Sequence, residues 1–164
     1  MMNNKWKVFS LATVFMLLVG CSEDTSKQEM VRQAVAIEQA DECHLCGMII
    51  SNFPGPKGEH FSSNTESINK FCSTRDLFSF ILQPENKRQV KEVFVHDMSK
   101  TPWATPGDEH FIDARTAWFV IGSSQKGAMG KTLGSFSSKV DAGVFIEEFG
   151  GQLYAFDDIT IDIL

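Results

Sequence analysis

The chain reads as an α+β fold made of two similar ββαβ-like halves, about residues 35–97 and 110–164, closing into one compact domain. Three observations predict it. Short apolar runs, such as Val90, Val93 and Val95 around Phe94, lie between Gly- or Pro-rich turns, as strands do. Two longer stretches place apolar residues at helical spacing between a capping hydroxyl and a breaker. Both halves run through a strand, a turn, a second strand or extended piece, an amphipathic helix and a closing strand, a likeness of order and not of residue identity.

Residues 1–20 read as an address and not as part of the fold. Lys5 and Lys7 precede an apolar run over residues 8–19 that is too short to span a bilayer as a stable helix. It ends in Leu18-Val19-Gly20-Cys21, which resembles a bacterial lipobox. Cleavage before Cys21 leaves that cysteine N-terminal, acylated and thioether-linked to diacylglycerol. Buried acyl chains, at about 0.8 kcal/mol per methylene, hold a protein on a membrane surface. Ser22 follows, and by resemblance to Gram-negative lipoproteins this favours the outer over the inner membrane, facing the periplasm. The remaining 144 residues keep all 21 acidic side chains but lose two of the 15 basic ones, for a net charge of −8. That charge argues against nucleic acid or an anionic surface as the main partner.

Residues 21–34 are polar and read as a lipid-anchored flexible tether ahead of a metal-binding domain over 35–164. Val35-Ala36-Ile37 is expected to be a short strand, and Met48-Ile49-Ile50 another. A turn carrying Pro54, Gly55, Pro56 and Gly58 then leads into a return strand at Glu59-His60-Phe61. Thr74 is expected to cap a helix, with Asp76 in its first turn and Leu77, Phe78, Ile81 and Leu82 on its apolar face as far as Pro84. Residues 89–96 follow as a strand. Beyond a loop over 97–109, further strands are expected at 111–114 and 117–121, then a glycine-rich stretch over 123–135. The second helix starts at the N-cap Ser138, turns Val140, Val144, Phe145 and Phe149 inward, and stops at Gly150-Gly151 before a last strand over 152–156. His60 and His110 are expected at the surface.

Asp41-Glu42-Cys43-His44-Leu45-Cys46-Gly47-Met48 concentrates two thiols, an imidazole and a thioether in eight residues. A thiolate beside a thioether suits Cu(I), because both sulfurs are polarisable and neither competes well for hard cations. Cys46 is the first candidate ligand, since a thiolate is the strongest soft donor and binds deprotonated. Met48 is the second, a neutral sulfur that keeps binding reversible. Met129, set between glycines in Gly127-Ala128-Met129-Gly130, is the third; a pseudo-twofold relating the halves would bring it to the Cys loop. Cys43, His44 and His96 are secondary candidates. Cys43 either completes the site or pairs with Cys72 in a disulfide, His44 suits an exchange ligand at entry or exit, and His96 ends a strand. A structural zinc site would draw on Cys43, Cys46, Cys72 and one His. A c-type haem needs His directly after the second Cys, where Gly47 stands, and a thioredoxin-like pair needs a helix start that the Met-Ile-Ile run does not offer.

Cys43-His44-Leu45-Cys46-Gly47-Met48-Ile49-Ile50, then Phe53-Pro54, Phe111-Ile112-Asp113-Ala114, Gly127-Ala128-Met129-Gly130 and Gly150-Gly151, all behind a lipobox, resemble the NosL family. Those are lipoprotein copper chaperones for nitrous oxide reductase maturation. The resemblance implies Cu(I) carried by Cys46, Met48 and Met129. It implies delivery, with periplasmic and ABC-transporter maturation proteins, to the copper-sulfide centre of nitrous oxide reductase. It also implies a fold similar to the organomercurial lyase core, and a carrier with no catalytic residue. Two other functions stay open on the residues alone: a zinc-stapled interaction lipoprotein, and a lyase cleaving carbon–mercury bonds with Cys46 and Cys72 as thiolates and Asp97 or Asp113 as proton donor.

Overall fold

The Pro54-Gly55-Pro56 turn delivers the chain into β1 (Gly58–Ser62), which lies between β2 (Ile68–Phe71) and β3 (Val90–His96) and runs antiparallel to both. A short β4 (Phe111–Asp113) extends the sheet beyond β3. The computed structural model describes residues 31–164, so the expected signal segment, Cys21 and most of the tether lie outside the described residues. Among the described residues no helix is long and apolar enough to cross a membrane.

The second half repeats this plan. β5 (Trp118–Ile121) is the middle strand, flanked antiparallel by β8 (Gly134–Phe136) and β9 (Gln152–Ala155), and the small hairpin β6 (Lys126–Gly127) and β7 (Gly130–Lys131) is inserted after β5. In each half the first strand is central, the second and third flank it, and a helix joins those two. The expected pair of ββαβ-like halves is therefore present in the pairing pattern itself.

Helix α1 (Thr74–Ile81) crosses the first sheet and buries Leu77, Phe78 and Ile81, as its spacing requires. Its cap is Ser73 and not Thr74. The Ser73 hydroxyl accepts the Asp76 N–H at 3.1 Å and donates to the Asp76 carboxylate at 2.9 Å. The Thr74 hydroxyl is used elsewhere, donating to the Leu133 carbonyl of the second half at 2.6 Å. A short α2 (Pro84–Lys87) starts with Pro in the first turn, where its missing N–H costs nothing. Phe78 meets Phe119 of β5 edge-on, with centroids 5.0 Å apart, and Phe156 at 5.3 Å, so one core serves both halves.

Helix α3 (Lys139–Phe149) is capped by Ser138, which accepts the N–H groups of Val140 and Asp141, and it stops at Gly150 with φ 73°. The inward face is only in part the expected one, holding for Phe145 and Phe149 and failing for the two valines. Ala142 is buried and Phe145 and Ile146 pack with it, whereas Val140 and Val144 are 74% and 58% exposed. Ala142 sits in the seam where the helix packs on β5 and β8, beside Val120 and Phe136.

Two expected strands are absent. Val35-Ala36-Ile37 is an extended strap: the Val35 N–H donates to Glu59 Oε2 at 3.0 Å, the Ile37 N–H to Asp108 Oδ2 at 2.8 Å, and Lys70 Nζ to the Ala36 carbonyl at 2.7 Å. Arg32 begins the strap, bonded to Glu92 and lying over the Phe61 ring at 4.4 Å. Met48-Ile49-Ile50 contributes one bridge, Glu42 to Ile49, and then curls into a 3-10 turn at Ile50–Asn52. His60 is also not at the surface. It is 1% exposed, bonded to Asn69 at 3.1 Å and stacked near Phe71 and Phe80.

Candidate metal centre

The Cys loop is a closed turn whose backbone fixes its sulfurs. The Cys43 N–H donates to the Met48 carbonyl and the Gly47 N–H to the Cys43 carbonyl, both at 2.8 Å. Gly47 takes φ 71°, a left-handed conformation that favours glycine, and a Cβ there would meet nothing within 4 Å. The His44 N–H donates to the Lys70 carbonyl at 2.8 Å, which lays the loop along the edge of β2. Lys70 Nζ also pairs with Asp41 at the start of the loop, and because Cys72 is the next residue after β2 these ties bring the loop thiols to it.

Cys43, Cys46, Cys72 and Asp76 each place one donor atom within 4.8 Å of the others. Cys46 Sγ and Cys72 Sγ are 3.6 Å apart, and the Cys72 thiol donates to Asp76 Oδ2 at 3.0 Å. All three cysteines are free thiols, so Cys43 and Cys72 do not form the disulfide that the sequence left open. Cys72 is fully buried and Cys43 2% exposed, while Cys46 faces solvent. The neighbouring Cys72 side chain pushes the Cys43 thiol down to about 5 against the opposing effect of burial. Cys43 in turn pushes Cys72 up, and burial and the Asp76 carboxylate add to it. Burial raises Cys46. The trio thus favours its one thiolate on Cys43 and keeps Cys72 protonated. Lys57 is 4% exposed and donates to the Phe53 and Pro54 carbonyls, and burial lowers it to about 8.

The two candidate thioethers sit on separate elements. Met48, at the base of the loop, is half-buried against the core cluster that contains Cys43 and Cys72. Met129, 60% exposed, caps the β6–β7 hairpin, where Gly130 has φ 91°. The hairpin is held by the Trp103 indole N–H on the Lys126 carbonyl at 2.8 Å. It is also held by Thr132, whose hydroxyl is 3.2 Å from that of Thr74, two residues beyond Cys72. The pseudo-twofold does not account for this placement, since the Cys loop precedes β1 whereas the Met129 hairpin follows β5.

The histidines go elsewhere. The His44 ring sits edge-on to Phe80 at 4.9 Å and to Phe71 at 5.9 Å. His96 is fully buried. Its Nδ1 accepts the Lys57 N–H at 3.1 Å, which leaves Nε2 to carry the proton toward Asp108 at 3.2 Å, and burial lowers its pKa to about 4. The two acids considered as proton donors are also committed, Asp97 to Ser99 and Ser137 and Asp113 to the Arg115 N–H. The carboxylate beside the thiols is Asp76, which sequence reasoning placed only in a first turn. Its signal was available. In Cys72-Ser73-Thr74-Arg75-Asp76 a Ser cap and its Asp three residues on put the preceding thiol against the same carboxylate.

The NosL family model matches residues 34–164. "Copper-binding lipoprotein NosL" of Stutzerimonas stutzeri is 43% identical over 147 residues, covering 90% of this chain and 76% of that protein. The protein of the same name from Achromobacter cycloclastes is 32% identical over 162 residues, covering 97% and 82%. Among solved structures, the crystal structure of the copper chaperone NosL from Shewanella denitrificans superposes with a TM-score of 0.80 at 64% identity, covering 80% of this chain and 98% of that one. The solution structure of apo-NosL from Achromobacter cycloclastes gives a TM-score of 0.51 at 31% identity, covering 65% and 86%. A matched region that takes in the Cys loop, both halves and the Met129 hairpin, with relatives this similar over most of their length, makes the chain a member of the NosL family.

Proposed function

We propose that this protein is a copper chaperone that binds one Cu(I) ion through soft sulfur donors and delivers it for assembly of the copper-sulfide centre of nitrous oxide reductase. The single observation that carries the reading is the convergence of Cys46 on buried thiols while Cys46 itself stays open to solvent. A carrier needs that asymmetry: firm donors on one side and an open side through which a recipient's ligand can approach. Met48 and Met129 supply neutral sulfurs at the margin, which favours a monovalent soft ion over a hard divalent one. Cys21 anchors the protein to a membrane facing the periplasm, with Ser22 favouring the outer membrane. Periplasmic and ABC-transporter maturation proteins receive the ion, and no residue turns over a substrate.

Anaerobic titration with Cu(I) against a competing chelator tests the reading. One ion should bind, Cys46→Ser should largely abolish binding, and Met48→Leu or Met129→Leu should weaken it less. Full Cu(I) affinity in Cys46→Ser rejects the reading.

A second reading draws on the four donors within 4.8 Å, because three thiolates and a carboxylate also suit structural zinc. Asp76 takes the place of the histidine expected there. Zinc in the purified protein, with unfolding on chelation, would favour that reading.

A further inference from the structure

Cations that sit inward in this acidic chain are matched: Arg32 pairs with Glu92, Lys70 with Asp41, and Lys57 donates to two carbonyls. Arg75 and Lys131 are not. Neither has a hydrogen-bond or ion-pair partner among the described residues, Leu164 included, yet both line one recess of about 160 Å³.

The two cations come from distant parts of the sequence. Arg75 lies in the first turn of α1 and Lys131 ends β7. Thr74 Oγ1, one residue before Arg75, is 3.2 Å from Thr132 Oγ1, one residue after Lys131, and it donates to the Leu133 carbonyl at 2.6 Å. Those buried ties hold the guanidinium and the ammonium to the same recess. Ile121, Leu133 and Ile163 form much of its wall, and no Asp or Glu side chain lines it. Asp76, the acid next to Arg75, commits its carboxylate to Cys72 and Ser73. Two like charges on one small recess repel each other, and an anion between them turns that repulsion into attraction.

We propose that this recess is a binding site for one small oxyanion, either a carboxylate or a tetrahedral ion such as phosphate or sulfate. The guanidinium fork matches two oxygens of such a group, and the ammonium adds a point charge from the hairpin side. The volume, below the roughly 300–1,000 Å³ of pockets for drug-sized ligands, suits a group of a few heavy atoms. Because the Thr74 ties are already made, binding orders little backbone and loses little entropy. A bound anion bridges α1 and the base of the Met129 hairpin. The site stands apart from the copper reading, since its ligands are nitrogen cations and no sulfur takes part.

The test titrates inorganic phosphate, sulfate and acetate into the full-length chain at constant ionic strength and follows backbone amide resonances. Saturable shifts should centre on Arg75, Lys131 and Leu133. Arg75→Gln and Lys131→Gln should each weaken binding about tenfold or more, whereas Lys87→Gln, on α2, should leave it unchanged. Phosphate or sulfate binding tighter than acetate upholds the site as one for a free tetrahedral ion. Acetate binding at least as tightly upholds it as one for a carboxylate. Shifts that stay linear to about 50 mM for all three ions, or saturation unchanged in Lys131→Gln, overturn it. Lys131 is exposed, so its variant decides even should Arg75→Gln fail to fold.

Discussion

Thr74 Oγ1 donates to the Leu133 carbonyl at 2.6 Å, joining the first turn of the helix behind the thiols to the segment that leads out of the Met129 hairpin. Both groups are buried, so the carbonyl has no water to turn to. Thr74→Val keeps the shape and strands that acceptor, and should cost about 1–3 kcal/mol. Urea unfolding of the two proteins measures it; equal midpoints and slopes would show that the bond contributes nothing.

Exposure orders the thiols by reactivity. In the metal-free protein iodoacetamide should label Cys46 first, with Cys43 and Cys72 following only as the fold opens. Prior addition of Cu(I) should suppress labelling of Cys46. Mass spectrometry of the time course reads this directly, and three equal labelling rates would contradict the buried placement.

Glu59 is fully buried with Oε1 lacking a hydrogen-bond partner, and burial raises it to about 7 from an ordinary 4.5, opposed by the Val35 N–H and Lys70. A native pKa above the unfolded one means that the native state binds the extra proton. The contribution is therefore whole below pH 4.5 and is lost as pH rises through 7, by about 3 kcal/mol in order of magnitude. Glu59→Gln should remove that slope. The stability of the variant relative to wild type should rise between pH 5 and pH 8 in denaturant titrations, and a flat difference would refute it. His96 acts in the opposite sense. Its native pKa of about 4 lies below the unfolded value, so its contribution is present above 6.5 and fades as pH falls toward 4.

Val140 and Val144 face solvent, so Val140→Thr and Val144→Thr should each shift stability by no more than about 0.5 kcal/mol, whereas Ala142→Leu should overpack the α3 contact by about 1–3 kcal/mol. Thermal melts separate these outcomes.

The partly misplaced face of α3 shows what the sequence could carry. Its existence, cap and stop were legible because Ser138, the apolar spacing and Gly150-Gly151 act locally. Its rotation was not, because that depends on the sheet against which Ala142 packs. Likewise β2 went unseen: Ile68 and Phe71 are the only apolar residues in a polar run, and its partner strand defines it. In the candidate site, the Cys loop announced itself through dense donors. Cys72, 26 residues from Cys46, was named only as a zinc, disulfide or lyase candidate, because its place beside the loop depends on ties such as that of His44 to Lys70.

Because Phe78 is packed into Phe119 and Phe156, the two halves cannot hinge apart without opening their common interior. On the carrier reading proposed above, cargo exchange would therefore turn on rotating side chains and not on jaws swinging wide. A recipient would then meet a rigid platform.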